Sequence, residues 1–304
     1  MDIAITGSSG LIGTALRASL EAAGHNAIRV VRSGSDGIGW DPAEGRIDAA
    51  GFEGIDAVVH LAGEGIGERR WNDEVKKSIL DSRVDGTTLL AETLAGLQNP
   101  PKVLLSGSAT GYYGERGDEV LTEESSKGEG FLSDVVEAWE AAAKPAVDAG
   151  IRTAFLRTGI VLSPEGGALG KMLPIFKLGA GGKMGNGKQW WSWISIDDEI
   201  GMIEWLLAND VSGPVNLVAP GATTNAEFTD VLGDVMKRPT FLPVPKFGPK
   251  LLLGGELTAH KRPVKHRSGA TKDQWQQANA GQNQSAPERA ETALTGAIHH
   301  RSKR

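Results

Sequence analysis

The chain has 304 residues, no cysteine, and 32 basic against 38 acidic side chains, a formal charge of −6. At 40% hydrophobic and 23% charged residues it has the means to bury a sizeable core, and its length suits one large or two modest domains. The absence of cysteine excludes disulfides, thiolate metal ligands and a cysteine nucleophile. No apolar run reaches the ~18 residues of a membrane helix, and Met1-Asp2-Ile3-Ala4-Ile5 lacks the basic start of a secretory signal, so a soluble, cytoplasmic protein is expected. The acidic balance gives no reason to expect nucleic acid as a partner.

The charge is unevenly spread. Residues 255–304 hold nine basic and four acidic side chains, +5, which leaves 23 basic and 34 acidic in residues 1–254, −11.

In chain order, Ile3-Ala4-Ile5 is a short β-rich apolar run that reads as a buried strand. Leu11 to Ala23 follows with Leu11, Ala15, Ala18 and Ala22 at helical spacing and stops at Gly24. Ala27 to Val31, Ala57 to Ala62, Val103 to Leu105 and Thr153 to Leu156 read as further strands. Between them, Val75, Ile79, Leu80, Val84, Thr87, Leu90, Leu94 and Leu97 make a helical stripe that Pro100-Pro101 ends, and another helix is expected from a Ser133 cap to Gly150. Strand and helix in alternation predict an α/β fold, a parallel sheet covered by helices on both faces and joined by right-handed crossovers. Beyond residue 160 a glycine-rich stretch surrounds a short helical patch at Lys171 to Leu178, and Thr224-Asn225-Ala226-Glu227 has capping-box spacing. The expected organisation is 1–160 for the domain built on this sheet, with strand and helix additions from about 190–220, 161–254 for a smaller second region, and 255–304 as a basic, poorly ordered tail.

Directly after the first strand stands Gly7-Ser8-Ser9-Gly10-Leu11-Ile12-Gly13. In this dinucleotide fingerprint Gly7 permits the tight turn, Gly10 lets the backbone approach a pyrophosphate, and Gly13 lets the helix pack closely on the strand. Gly7, Ser8, Gly10, Leu11, Ile12 and Gly13 are therefore candidate cofactor residues, aided by the free N–H groups of the helix start. About 20 positions on lie Val31-Arg32-Ser33, where an arginine fork and a hydroxyl suit a 2′-phosphate. NADP(H) is the expected cofactor; Asp36 keeps NAD(H) as the lesser alternative. Leu61, Ala62 and Gly63, small or apolar after the third of these strands, would let backbone approach the cofactor, while His60 before them reads more readily as a satisfied packing residue than as a base.

Thr6 to Gly13, His60-Leu-Ala-Gly-Glu64, Arg70-Trp71, Ser82-Arg83-Val84, Ser106-Gly-Ser-Ala-Thr-Gly-Tyr-Tyr-Gly114, Trp139-Glu140 and Trp193-Ile-Ser-Ile-Asp197 together resemble the extended short-chain dehydrogenase/reductases. The likeness is greater still to their atypical, nucleoside-diphosphate-sugar epimerase-like subgroup, which Asn225 to Phe228 and Phe241 to Pro245 also match. The resemblance covers about residues 1–254. It implies an α/β Rossmann fold, doubly wound, with a smaller C-terminal substrate-binding region at 161–254, and NADP(H) binding with Ser106 in the cofactor site and Arg83 facing the cofactor, although alone Arg83 reads as a surface helix charge.

That superfamily uses a serine, a tyrosine and a lysine four residues on. Ser108 matches the serine. Aligned on Trp139-Glu140, the other two positions hold Leu132 and Val136, and the chain's two tyrosines are Tyr112 and Tyr113. Either Tyr112 or Tyr113 is the acid with Ser106 or Ser108 as its partner, or the chain binds NADP(H) without the usual chemistry. Trp190, Trp191 and Trp193 suit a sugar or base platform, or equally a corner of the core. An oxidoreductase or epimerase-like enzyme on a small polar molecule, with sugar nucleotides among the candidates, is the leading expectation; a non-catalytic NADP(H)-binding sensor or interaction protein is the alternative.

Overall fold

The computed structural model describes residues 1–32 and 36–240, together with the backbone of Lys265–His266. Ser33, Phe241 to Pro245 and the rest of the basic tail lie outside the described residues. The elements are β1 (Asp2–Thr6), α1 (Leu11–Ala22), β2 (Asn26–Val31), β3 (Ile38–Asp41), β4 (Arg46–Ile47), β5 (Ala57–His60), α2 (Asp73–Ala95), β6 (Val103–Ala109), β7 (Val120–Leu121), α3 (Phe131–Ala142), α4 (Lys144–Asp148) and β8 (Arg152–Thr158). They continue as β9 (Ile160–Leu162), α5 (Gly167–Lys177), β10 (Trp190–Trp191), β11 (Trp193–Ser195), α6 (Ile196–Ala208), β12 (Gly213–Leu217), β13 (Thr223–Thr224), α7 (Asn225–Met236) and β14 (Lys265–His266).

Eight strands form one sheet in the order β12-β8-β6-β5-β1-β2-β3-β4. All its pairings are parallel except that of β3 with β4. The strands are apolar on both sides because both sides are covered. Ile3 and Ile5 of β1 and Ala154 and Leu156 of β8 pack with Leu16, Leu20, Ile203 and Leu206 of α1 and α6. Ala4, Val58 and Leu104, pointing the other way, pack with Leu90, Leu94 and Ala146 of α2 and α4. Chain order reverses between β1 and β5, so a ligand crevice is expected outside their carboxyl ends. A further core joins α5, α7, β10 and β11 through Leu169, Leu173, Phe176, Trp191, Trp193, Phe228 and Leu232.

Several local expectations are corrected. The helix expected from a Ser133 cap begins three residues earlier, after Gly130 at φ +104°, and Ser133 donates instead to the carbonyls of Gly111 and Glu129 at 3.0 and 3.3 Å. It also breaks before Lys144-Pro145, since proline cannot donate to a continuing helix. The patch at 171–178 is the end of a helix that starts at Gly167. The stripe after Trp71 stops at Gly96, ahead of the proline pair. Thr224 and Glu227 do form a capping box.

Candidate active site

The glycine turn joins β1 to α1, and its three glycines are there for measurable reasons. Gly7 has φ +65°, and a Cβ on it would stand 2.9 Å from Ala62 N and from Leu61 C and O. A Cβ on Gly13 would stand 2.3 Å from Gly7 O and 2.8 Å from the Ser8 Cα. Gly10 is the N-cap of α1; no side chain caps that end and the first turn carries no acid. The helices α2, α6 and α7 each have a side-chain cap and an acidic first turn. α1 therefore presents bare N–H groups and an uncompensated positive dipole end, the environment a phosphate requires, as α5 also does behind Gly166, but α1 does so directly after β1 at the crevice.

The next rim of the crevice is tied to this turn by Thr6. Its Oγ1 accepts from Leu61 N and Ala62 N, both at 3.1 Å, and lies 2.7 Å from His60 Nδ1. With both lone pairs engaged, the Thr6 hydroxyl donates to Nδ1, which leaves Nε2–H to donate to Thr87 Oγ1 at 3.0 Å. His60 is fully buried against Trp40, and burial pushes its pKa down to about 4. It is a neutral packing residue that fixes the end of β5.

Arg83, expected at the cofactor, is half-buried, not a surface charge. It lies beside Gly63, where a Cβ would be 3.4 Å from its Cγ and Cζ; it donates to Glu64 O at 3.0 Å and stacks 5.0 Å from the Trp139 ring centroid. Burial lowers its pKa to about 10, against the opposing charge of Glu64. Glu64, held by Ser78 and Arg69, stays below the usual carboxylate range. Val31 ends β2 and Arg32 follows it, exposed, on the strand next to β1. Asp36, the group that favours NAD(H), is paired with Arg29 at 2.9 Å. Ser106 is buried beside His60 in the β5–β6 register, its Oγ 3.4 Å from Gly107 O.

A second cluster stands at the ends of β6, β8 and β12. Ser108 lies within β6 rather than past the strand, and donates to Glu140 Oε1 at 2.6 Å. Arg157, opposite it in β8, grips both oxygens of Glu140 through Nε and Nη2 at 2.8 Å and donates from Nη1 to the Tyr113 hydroxyl at 3.0 Å. The Tyr113 hydroxyl in turn donates to Asn216 Oδ1 at 2.7 Å. Tyr113 is fully buried, and burial raises its pKa despite Arg157. Burial alone disfavours the charge on Arg157, but Glu140 outweighs it and holds the guanidinium above its ordinary value. Tyr112 is half-buried, with the guanidinium 3.5 Å over its ring and Tyr113 edge-on at 5.3 Å. On the other side of β8, Thr158 Oγ1 lies 2.8 Å from Oε1 of the fully buried Glu199.

The structure thus brings Gly7 to Gly13 against Leu61, Ala62 and Gly63, and brings Ser108, Tyr112 and Tyr113 together around Arg157. Leu132 and Val136 flank Gly111, 3.6 and 3.9 Å from where its Cβ would be, so no tyrosine–lysine pair faces that turn. Trp191 and Trp193 are core, while Trp190 is half-buried and donates from Nε1 to Asp118 at 2.8 Å. Sequence reasoning missed Arg157, Glu199 and Asn216. A buried charge has no local signature; only the partner across the fold distinguishes it from a strand-end arginine or a helix-cap acid.

Comparison with known proteins agrees with this layout. Residues 3–218 match the model of the NAD dependent epimerase/dehydratase family. An epimerase family protein of Mycobacterium bovis is 43% identical over 256 residues, 83% of this chain and 84% of that protein. The human epimerase family protein SDR39U1 is 40% identical over 81% of this chain and 84% of its own length. A crystal structure of human SDR39U1 with NADPH superposes with a TM-score of 0.85 at 34% identity, covering 98% of this chain and 99% of that one. Among the described residues no helix is long and apolar enough to cross a membrane. The glycine turn, the parallel sheet and these matches agree: the chain belongs to the NAD dependent epimerase/dehydratase family.

Proposed function

We propose that this protein binds NADP(H) across the ends of β1 and β5 and acts as an oxidoreductase or epimerase-like enzyme on a small polar substrate. The observation that carries the reading is the uncapped start of α1, set in a turn where Gly13 tolerates no Cβ against the Gly7–Ser8 backbone and Gly7 none against Leu61 and Ala62. The donor set fits the group: bare N–H groups for the pyrophosphate, Gly63 and Arg83 at the next rim, and Arg32 for a 2′-phosphate. That human SDR39U1 was crystallised with NADPH supports the choice. A nicotinamide bound there supplies two-electron oxidation and reduction.

The chain's own residues supply orientation and a proton. Ser108, held by Glu140, positions a substrate oxygen, and Tyr112 or Tyr113 holds the proton at its hydroxyl. Tyr112 is the better placed, since Tyr113 is buried with its hydroxyl committed to Asn216. Neighbouring folds include structures with UDP-glucuronic acid and UDP-glucose, at 19% and 16% identity, which show the fold alone.

Fluorescence titration is expected to show NADPH bound at least about tenfold more tightly than NADH, with Arg32→Ala removing most of that preference. Equal affinities would contradict it. The second reading, an NADP(H)-binding protein without catalysis, is favoured by Leu132 and Val136 beside Gly111. Oxidation of bound NADPH by any member of a panel of sugar nucleotides, quinones and aldehydes selects the enzyme; inertness throughout, with tight binding retained, selects the second reading.

A further inference from the structure

Three loops follow the adjacent strands β1, β5 and β6, and elements of the α5/α7 core touch all three. The first turn of α5 sits on Leu11, the first residue of α1: Cβ positions at Gly166 and Gly167 are 3.5 and 3.4 Å from its two methyls. One helical turn further along α5, Lys171 Nζ donates to Gly67 O at 2.7 Å, in the loop after β5. From β10, Trp190 Nε1 donates to Asp118 at 2.8 Å, in the loop after β6.

The crevice between β1 and β5 is therefore crossed from rim to rim by α5. One end of the crossing is an apolar contact with the phosphate turn, and the other is a single hydrogen bond on an exposed lysine. An exposed ammonium on a neutral carbonyl is a weak tie, because water competes for both groups. Such a strap opens at modest cost and recloses, unlike the buried packing of Leu169, Leu173 and Phe176 that holds α5 to its own core.

We propose that α5 is a strap over the bound dinucleotide and that the Lys171–Gly67 bond is its latch, setting how fast the nucleotide leaves. The inference rests on the NADP(H) reading above and adds to it the control of release. Lys171 is a positioning residue; it acts by keeping α5 down across the crevice. The Trp190–Asp118 bond is a second tie of the same kind.

The test follows NADPH release from the full chain by stopped flow, chasing with excess NADP+. Lys171→Ala and Lys171→Met are expected to release NADPH about three- to tenfold faster, at an unchanged melting temperature, and Trp190→Phe to add a smaller increase. Lys171→Arg, which still donates to the carbonyl, keeps the slow release; a merely loosened fold would not be rescued in this way. Wild-type release rates in both Lys171→Ala and Lys171→Met would overturn the latch while leaving the cofactor reading intact. Failure of the unaltered protein to bind NADPH would overturn the cofactor reading and the latch with it.

Discussion

Glu140→Ala is expected to lower folding stability by about 3–5 kcal/mol in urea unfolding, a large loss for one side chain. Glu140 accepts two bonds from Arg157 and one from Ser108, and the two charged side chains are 13% and 3% exposed. Removing the carboxylate strands a guanidinium that water cannot reach, and the cost is that of an uncompensated buried charge rather than of a lost ion pair. It follows that replacing both partners, Glu140→Leu with Arg157→Met, recovers much of the loss. It also frees the Tyr113 hydroxyl from its Arg157 donor and removes the cation from the Tyr112 ring, so any chemistry at that turn should suffer even where stability is restored. A cost below about 1 kcal/mol for Glu140→Ala would show that the pair is solvated.

Glu199→Gln should have the opposite sign. Thr158 Oγ1 lies 2.8 Å from Glu199 Oε1 and 3.3 Å from Leu156 O, and has one hydrogen for two acceptors. A protonated Glu199 resolves this: it donates to Thr158, and Thr158 donates to the carbonyl. Burial pushes the Glu199 pKa up to about 8, against the lowering effect of Thr158. In the unfolded chain it titrates near the ordinary carboxylate value, so between about pH 4.5 and 8 the folded state holds a proton that the unfolded state has released. Stability from this group is intact below that window and falls as pH rises through it, by at most about 1.4 kcal/mol per pH unit. The amide of the glutamine variant donates from Nε2 at any pH. The variant should therefore match the parent near pH 4.5 and exceed it by about 4 kcal/mol at pH 8, measured as the difference in unfolding free energy so that other groups cancel. Parallel pH profiles would refute it.

These two residues mark where sequence reading stops. The Rossmann sheet was legible because Ile3 to Ile5, Ala57 to Val59 and Val103 to Leu105 are buried on both faces and so appear as unbroken apolar runs. The phosphate turn was legible because the positive φ of Gly7 and the crowding of Gly13 against Gly7 and Ser8 are demands set within the turn itself. β3 was not, and β12, inside the additions expected from about 190–220, was not placed by residue, since Ile38-Gly39-Trp40-Asp41 and Gly213-Pro214-Val215-Asn216-Leu217 carry glycine, proline or polar residues that break the apolar pattern. Ser133 resembled a cap because it precedes an acid and an apolar pair; Gly130, free to take φ +104°, starts the helix instead. Glu199 is one of three acids in the first turn of α6 behind Ser195, and only packing against β8 shows it sealed from water. The strap over the crevice joins Lys171 to Gly67, 104 residues apart, a distance no local pattern spans.

Hydrogen exchange of the full chain, with and without NADPH, is the most direct check on the central claim that the crevice between β1 and β5 holds the nucleotide. The expected result is slowed exchange at Gly10 to Thr14, at Leu61 to Glu64 and along the first turns of α5, with the amino-terminal ends of the same strands unchanged. Protection confined to other surfaces, or none at saturating NADPH, would contradict it.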